Sequence, residues 1–175
     1  MNNFLNAGVV PDLIVGKSKV GGRGVFAGKS FRSGDTILEL KGALYTREEL
    51  PEPYAKDEFL QVGPDLFLGP TEGHETPDEI VNHSCDPNAA IVIKPDGSVL
   101  LMAIGPIEPM QEIAYDYSVT MSNDPWTMKC RCGSPKCRKT ISEYQVLPRE
   151  VKARYRWINV VPPYVVAADP SSTQA

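Results

Sequence analysis

The sequence predicts a mainly β protein with few, short helices, and three observations support this fold class. The apolar stretches are short and are separated by turn-forming residues, with 14 Gly and 16 Pro among 175 residues. Several stretches occur in pairs around a tight turn, which is the pattern of β-hairpins. One stretch near the C-terminus places apolar residues at helical spacing. The length suits a single domain with a core of its own.

The first strands are predicted around a glycine-rich turn. Residues 13–15 and 25–27 are apolar and flank GGRG at 21–24, which indicates a tight turn between two strands. Residues 36–40 predict a further strand. The residues at 46–49 have the spacing of a capping box, so a short helix is expected to begin there.

Two hairpins and a last strand complete the predicted β part. GPD at 63–65 and PDG at 95–97 are turn sequences, and each lies between two apolar stretches. The predicted hairpin strands are 59–62 with 66–68, and 89–93 with 98–104. Residues 112–119 alternate in polarity and predict one more strand.

The C-terminal part has a different pattern, because Leu147, Val151, Tyr155 and Ile158 recur at helical spacing. This spacing predicts an amphipathic helix, which we expect to pack on the domain rather than to bind a partner. The final residues, 170–175, are small and polar, and they predict a loose tail.

Composition and charge limit the classes of function. Apolar residues make up 42% of the chain, so a disordered or fibrous protein is not expected. The net charge is −4, whereas a duplex-DNA binder is usually basic, so direct binding of nucleic acid is not expected. Residues 1–8 contain neither Lys nor Arg nor a long apolar run, which argues against a signal peptide or a membrane span. We therefore expect a soluble, intracellular protein without membrane contact.

The four cysteines predict a metal site. Cys130, Cys132 and Cys137 lie close together, and Cys85 is the only other cysteine. Cysteines one residue apart rarely form a disulfide with each other, because disulfide geometry is narrow. Three thiolates leave a tetrahedral structural zinc one ligand short, so Cys85 is the expected fourth ligand. The alternative is that the three clustered cysteines bind metal alone or together with His74.

Four motifs are weak singly but specific in their order along the chain. They are GRGVFA at 22–27, NHSCDPN at 82–88, EIAYDY at 112–117 and CRCGSPKCRK at 130–139. Together they resemble the SET domain of protein-lysine methyltransferases, followed by its cysteine-rich post-SET segment. The resemblance spans about residues 13–140. Because no cysteine precedes Cys85, the cysteine-rich pre-SET module of some histone methyltransferases is not expected.

The resemblance implies a fold and a set of site residues. The fold is a β-clip of several small curved sheets, in which residues 82–85 pass under a later loop as a pseudoknot, plus short helices and a zinc-clipped tail. Tyr117 matches the catalytic tyrosine, and Tyr115 tunes how many methyl groups are added. The implied contacts with S-adenosylmethionine are made by Gly22, Arg23, Gly24, Asn82, His83, Tyr117 and Arg131. The implied structural zinc is held by Cys85, Cys130, Cys132 and Cys137.

The resemblance also divides the chain into five segments. They are an N-terminal extension at 1–12, a SET domain at 13–120, a post-SET zinc-binding segment at 121–145, a helix packing on the domain at 146–165, and a flexible tail at 166–175. The region between the early strands and Asn82 is short, and in this family that region helps to shape the peptide groove. The sequence therefore leaves the choice of substrate open.

The implied function is transfer of a methyl group from S-adenosylmethionine to the ε-amine of a lysine in a histone tail or another protein. A Tyr at position 115 favours mono- and dimethylation, because leaving its buried hydroxyl unpaired would cost about 1–3 kcal/mol. Alternatively, Tyr115 only packs. Two other interpretations are a catalytically silent SET domain that binds a lysine-bearing tail as an adaptor, and a zinc-clipped β scaffold. The intact Tyr117 and the complete cysteine set favour the enzyme.

Overall fold

A computed structural model describes residues 12–51, 58–70, 77–123 and 126–170 of the protein. Its strands are β1 (Leu13–Lys17), β2 (Arg23–Ala27), β3 (Thr36–Leu40), β4 (Ala43–Thr46), β5 (Leu60–Gly63), β6 (Leu66–Gly69), β7 (Asn82–His83), β8 (Ala89–Ile93), β9 (Val99–Ala103), β10 (Glu112–Tyr115), β11 (Met128–Lys129) and β12 (Thr140–Ile141). The α-helices are α1 (Arg149–Trp157) and α2 (Pro163–Ala168). Short 3-10 turns lie at Arg47–Glu49, Pro77–Ile80, Tyr117–Val119 and Tyr144–Val146.

The strands form small, separate sheets rather than one large sheet. Their orders are β1-β2-β10-β7, β3-β9-β8, β4-β6-β5 and β11-β12. Neighbouring strands pair antiparallel in every sheet, except that β7 and β10 pair in parallel. This architecture confirms the predicted mainly β class. The parallel pair brings the Asn82–His83 segment beside the strand that leads to Tyr117.

The predicted hairpins are confirmed, and local turn chemistry explains the β8–β9 hairpin. Gly97 has a φ of 87°, a left-handed conformation that glycine adopts without strain. The turn is closed by the backbone N–H of Lys94, which donates to the carbonyl of Ser98 at 2.9 Å. The Asp96 carboxylate also accepts from the Ser98 N–H at 3.0 Å. Turn residues therefore set the register of this pair.

One cluster of buried apolar side chains joins three of the sheets. It includes Val25 and Ile113 from the first sheet, Leu101 from the second and Val62 from the third. Val25 and Ile113 are 0% exposed and Leu101 is 1% exposed. Burying a side chain of this kind contributes about 1.5–3 kcal/mol, so this cluster is the main apolar core of the described fold.

The strand predicted at 112–119 is too long. β10 ends at Tyr115, and Tyr117–Val119 form a 3-10 turn. The reason is Asp116, whose side chain caps the turn by accepting from the Ser118 N–H at 3.1 Å. The helix predicted at 46–49 forms only the 3-10 turn Arg47–Glu49, and its capping box is present.

The C-terminal helix predicted from apolar spacing is confirmed as α1. Its Tyr155 is 1% exposed and packs in a second buried cluster with Tyr144 and Val165. The sequence did not predict α2, which follows Pro162 and begins with Pro163. The boundary predicted at residue 166 falls inside α2, and the next residue after that helix, Asp169, is 2% exposed.

Asp169 is buried, and its carboxylate is linked to α1 by two ion pairs. Its carboxylate accepts from the Lys152 ammonium at 3.2 Å and from the Arg156 guanidinium at 2.6 Å. Of the loose tail predicted at 170–175, residues 171–175 lie outside the described residues, and the remaining segment boundaries stay a prediction. None of the helices in the described ranges is both long and apolar enough to traverse a bilayer.

Candidate active site and thiol cluster

The NHSCDPN motif forms one edge of the site because it is fastened to β10. The Ser84 N–H donates to the Tyr115 carbonyl at 2.9 Å, which extends the β7–β10 pairing. The Asn88 side chain then bonds the same strand twice. It donates to the Glu112 carbonyl at 2.9 Å and accepts from the Ala114 N–H at 3.0 Å. Both ends of the motif are therefore fixed against the strand that precedes Tyr117.

The glycine-rich turn before β2 meets the same edge. The Asn82 amide donates to the Arg23 carbonyl at 2.8 Å and to the Glu112 carboxylate at 2.8 Å. A Cβ atom on Gly24 would lie 2.8 Å from the Asn82 amide nitrogen and would overlap Glu112 Oε1. A larger residue at position 24 would therefore displace the ends of the Asn82 and Glu112 side chains from their hydrogen bond.

Tyr117 stands on the 3-10 turn that follows β10. Its hydroxyl donates to the Val81 carbonyl at 2.7 Å. Its ring centroid lies 4.8 Å from that of Tyr115 and 5.3 Å from that of His83, the latter in an edge-on arrangement. The rings of Tyr115 and His83 thus position the Tyr117 ring, and the Val81 carbonyl positions its hydroxyl.

A buried carboxylate anchors the start of this turn. Asp116 is 2% exposed and accepts from both terminal nitrogens of Arg138 at 2.7 Å. It also accepts from the Tyr155 hydroxyl at 2.7 Å. Burial raises the pKa of Tyr155 well above its usual range, and the Asp116 charge adds to the effect, so the hydroxyl remains a donor at neutral and alkaline pH.

Two cavities meet at Tyr117. The larger has a volume of about 330 Å³ and is lined by Asn82, His83 and Arg131, among others. The smaller has a volume of about 80 Å³, and Tyr115 is part of its wall. Of the described residues, Tyr117 is the one that lines both cavities. A group transferred between molecules in the two cavities would pass this side chain.

The thiols form a compact cluster beside the larger cavity. The ligand atoms of His83, Cys85, Cys130 and Cys132 all lie within 4.8 Å of one another. The Cys85 and Cys130 sulfurs are 3.7 Å apart, which is too long for a disulfide bond of about 2.05 Å. Four sulfurs around a zinc, with bonds of about 2.3 Å in tetrahedral geometry, would be separated by about 3.8 Å. The donor set and its spacing fit a structural zinc.

The fourth ligand is a choice between His83 and Cys137. His83 Nδ1 accepts from the Tyr117 N–H at 3.2 Å, so in the neutral ring the proton is on Nε2, which faces the Cys85 sulfur at 3.3 Å. Burial lowers the pKa of His83 to about 4, so the ring is neutral. In this tautomer His83 donates to a sulfur instead of binding metal. The Cys137 thiol interacts with those of Cys130 and Cys132 but is not one of the four grouped ligand atoms, so Cys137 stays a prediction as the fourth ligand.

The structure gathers most of the predicted site residues, but not all of them. Tyr117, Tyr115, Asn82, His83 and Arg131 surround the two cavities. The predicted cofactor residues that do not line either cavity are Gly22, Arg23 and Gly24. His74 lies outside the described residues.

Several lining residues were missed by the sequence interpretation. Val20 lies in the glycine-rich turn, and Met128, Lys129 and Ile141 come from the two-residue strands that flank the thiol cluster. Arg138, which lines neither cavity, was also missed as a site residue. Its position next to Cys137 indicates a basic residue at the thiol cluster. Val20 could have been found from its place in the turn, whereas the strands are too short to be recognised.

Comparison with known proteins identifies the family. Residues 22–118, more than half of the chain, match the SET domain. The chain is 29% identical over 154 residues to histone-lysine N-methyltransferase TRX1 of Oryza sativa subsp. japonica. It is 29% identical over 135 residues to an H3 lysine-4 specific histone-lysine N-methyltransferase of Cryptococcus neoformans var. neoformans. These alignments cover 81% and 70% of this chain, but it spans only 15% and 9% of the two relatives.

Two crystal structures of KRYPTONITE have the same fold over most of this chain. One, in complex with mCHG DNA and SAH, has a TM-score of 0.60 and 24% identity and covers 74% of this chain and 28% of KRYPTONITE. The other, in complex with mCHH DNA, an H3(1–15) peptide and SAH, has a TM-score of 0.59 and 23% identity and covers 74% and 29%. The match over residues 22–118 shows that the chain belongs to the SET domain family.

Proposed function

We propose that this chain transfers a methyl group from S-adenosylmethionine to the ε-amine of a lysine in a protein substrate. The observation that carries the proposal is the position of Tyr117, whose side chain lines both the larger and the smaller cavity. The larger cavity is the proposed cofactor site, and the smaller is the proposed lysine channel. The relatives named as histone-lysine N-methyltransferases support the same reaction.

The larger cavity suits the cofactor in size and in chemistry. Its volume of about 330 Å³ falls within the range of about 300–1,000 Å³ that small-molecule sites have. Lys129 and Arg131 on its wall supply cations for a carboxylate, and Asn82 supplies an amide. S-adenosylmethionine supplies a methyl group that is already activated by its sulfonium. The protein's task is therefore alignment and exclusion of water.

The smaller cavity suits a lysine side chain. Phe59, Phe67 and Trp126 join the two tyrosines in its wall, and such a lining accepts an aliphatic stem. Lysine is a nucleophile only when neutral, and its reference pKa is about 10.4. An apolar channel disfavours the ammonium form, so the wall itself promotes loss of the proton. Glu58 and Glu79, which are also in the lining, attract the ammonium before it loses that proton.

Tyr117 acts on the amine at the junction of the cavities. Because its hydroxyl proton is donated to the Val81 carbonyl, the oxygen is oriented to accept. An acceptor at this point orients the amine through its N–H and holds the methyl group through weak C–H···O contacts. Tyr115, next to it, adds a second hydroxyl to the channel wall, and we propose that it limits the reaction mainly to mono- and dimethylation.

The zinc is proposed to be structural. Cys85, Cys130, Cys132 and Cys137 would hold it and would fasten the post-SET segment over the cofactor cavity, whose wall includes Cys132. Burial raises the pKa of the Cys85 thiol to about 11, so binding of zinc must displace a proton there.

A histone tail is the proposed substrate, because the relatives above are named for histone lysines and one KRYPTONITE structure contains an H3 peptide. A histone substrate would place the protein in the nucleus. We expect methyl transfer without direct contact between this chain and nucleic acid or a membrane.

The test is a radiolabelled methyl-transfer assay over histones, ribosomal proteins and a whole-cell lysate, with wild-type protein and Tyr117→Phe. We expect Tyr117→Phe to lower kcat by about 100-fold or more, because the hydroxyl acts in the transition state, and to leave S-adenosylmethionine affinity nearly unchanged. Cofactor binding without turnover on any substrate would instead support the silent, lysine-binding interpretation. Absence of cofactor binding by the zinc-loaded protein would contradict the proposal.

A further inference from the structure

The turn that carries Tyr117 is held at both ends by tyrosine hydroxyls from the C-terminal helices. Asp116 caps the N-terminal end of the turn and Thr120 caps its C-terminal end. Tyr155, from α1, donates to the Asp116 carboxylate at 2.7 Å. Tyr164, from α2, donates to the Thr120 carbonyl at 2.6 Å. Two residues that lie beyond the thiol cluster in sequence thus bracket the proposed catalytic tyrosine.

We propose that Tyr155 and Tyr164 are positioning residues for methyl transfer, which hold the two ends of the turn and so fix the Tyr117 hydroxyl at the junction of the cavities. This inference rests on the function proposed above for Tyr117. It assigns a role in the reaction to α1 and α2, which lie outside the segment that matches the SET domain.

At the N-terminal end, Tyr155 completes the hydrogen bonding of a buried charge. Asp116 Oδ2 accepts from Arg138 and from Tyr155, both at 2.7 Å. Asp116 Oδ1 accepts from Arg138 at 2.7 Å and from the Ser118 N–H at 3.1 Å. A buried carboxylate that loses one such donor must shift or admit water, and either change would move the cap of the turn.

At the C-terminal end, Tyr164 ties the turn to the wall of the lysine channel. Its hydroxyl lies 2.6 Å from the Thr120 carbonyl and 2.8 Å from the Gln61 carbonyl of β5. Thr120 and Gln61 both line the smaller cavity. The Gln61 side chain also accepts from the Ser122 N–H at 2.9 Å. Tyr164 therefore couples the position of the turn to the shape of the cavity that receives the lysine.

Ion pairs fasten α1 to neighbouring segments on two sides. Arg154 of α1 pairs with Asp86 at 2.9 Å, close to the thiol cluster. Asp169 receives Lys152 and Arg156 from the same helix. Burial raises the pKa of Tyr164, as it does that of Tyr155, so both hydroxyls keep their protons over the pH range in which lysine methylation is measured.

The two hydroxyls affect the reaction because they keep the Tyr117 turn aligned with the reacting groups. A displacement of about 1 Å at a reacting group costs up to about 100-fold in rate, and loss of one of two supports displaces the turn only partly. We expect Tyr155→Phe and Tyr164→Phe each to lower kcat by about tenfold, and the KM for S-adenosylmethionine to change less than about twofold, because neither hydroxyl lines the cofactor cavity.

The matched control is Tyr144→Phe. Tyr144 is 0% exposed and packs in the same cluster as Tyr155, but its hydroxyl donates to the Lys152 carbonyl at 3.4 Å and does not contact the turn. The experiment compares the three variants with wild type in kcat, KM, melting temperature and amide hydrogen exchange of residues 116–121. The amides of Ser118, Val119 and Thr120 are hydrogen-bonded within the turn, so they report its opening directly.

We expect faster exchange at 116–121 and lower kcat in both positioning variants, and wild-type values of both in Tyr144→Phe even if its melting temperature falls. Unchanged kcat in Tyr155→Phe and Tyr164→Phe would overturn the inference. An equal loss in Tyr144→Phe, or a loss of kcat without faster exchange, would overturn it as well. If wild-type protein has no methyltransferase activity, the proposed function fails by itself, and the exchange rates still decide whether the hydroxyls hold the turn. If one variant does not fold, the other decides.

Discussion

The sheets and the C-terminal region of this molecule are held together by different forces. The sheets share a continuous apolar cluster, in which Val25, Leu101 and Ile113 are almost fully buried. Between Met128 and Asp169 a second, smaller apolar cluster is supplemented by thiols, ion pairs and tyrosine hydroxyls, among them the buried Asp116–Arg138 pair. Apolar burial is non-directional and is distributed over many side chains, whereas each polar link is single and directional.

The two kinds of link respond differently to the loss of a single side chain. Loss of one apolar side chain leaves a core that is smaller but still continuous. Loss of one polar partner leaves a buried charge or thiol without its match, and a whole segment is affected. The turn that carries Tyr117 lies at the border, since it follows a strand of the sheets and is capped through groups from the C-terminal region.

The largest effect should follow from loss of zinc. Cys85→Ser, or chelation of the wild-type protein, should remove about one zinc per chain and with it an apparent folding free energy on the order of 10 kcal/mol for the C-terminal region. Elemental analysis and amide exchange check this result. We expect residues 126–170 to exchange rapidly and β8–β9 to stay protected. Collapse of protection in both regions together would show that the two are a single cooperative unit.

A smaller loss is expected from Arg138→Met. The substitution leaves Asp116 buried without its guanidinium, so the free energy of unfolding should fall by about 3–5 kcal/mol. Urea denaturation measures it. Lys136→Met is the matched control, because Lys136 pairs with Asp86 on the surface and its side chain is 64% exposed, so its loss should cost less than about 1 kcal/mol. Similar losses in the two variants would show that the buried ion pair is no more important for stability than an exposed one.

Leu101→Ala tests the apolar cluster that the sheets share. Because Leu101 is 1% exposed, the cavity should cost about 2–5 kcal/mol in the free energy of unfolding, while zinc content stays at about one per chain. Leu44→Ala, at a side chain that is 59% exposed, is the control and should change stability by less than about 0.5 kcal/mol. Release of zinc from Leu101→Ala would mean that the apolar core also supports the thiol cluster.

The smallest effect concerns a polar link on the sheet side. Hydrogen bonds from the Thr46 backbone and hydroxyl to the Glu49 carboxylate lower the pKa of Glu49. A lowered pKa in the folded state means that this link stabilises the fold above the unfolded pKa of about 4.3 and is lost as the pH falls through the folded value. An NMR titration should place the Glu49 pKa below about 4.3, and Thr46→Ala should raise it. An unchanged pKa in that variant would show that the Thr46 hydroxyl does not bond Glu49 in solution, and a wild-type pKa of about 4.3 or higher would show that the capping box does not form.

The sequence predicted the parts of this fold that are determined locally. The β8–β9 hairpin followed from PDG at 95–97, and the thiol cluster followed from the number and spacing of cysteines. The resemblance to the family named Tyr117 and the NHSC segment as parts of one site, and in the structure the Tyr117 ring lies against His83 and its hydroxyl bonds Val81. These features depend on turn chemistry or on motif residues, which are visible in the sequence itself.

The parts that could not be predicted depend on contacts between distant segments. β7 has two residues, too few for any period, and it becomes a strand only because β10 pairs with it. The alternation at 112–119 continued past Tyr115 because Asp116 also fits a polar position of a strand, and its role as a cap appears only with Ser118 and Arg138 in place. Tyr155 read as an ordinary apolar position of a helix, since nothing near it in the sequence indicates a buried carboxylate.

The pairing of β2 with β10 has a consequence for how the chain reaches this structure. Phe26 pairs with Glu112, so β2 finds its partner only after the long segment between them has been made. Closing so long a loop costs entropy before any contact compensates for it, and such topologies fold slowly. Since β10 also pairs with β7, the first sheet and the turn that bears Tyr117 should be acquired together and late. We therefore expect a newly made chain to form the turn that bears Tyr117 in one late step rather than gradually.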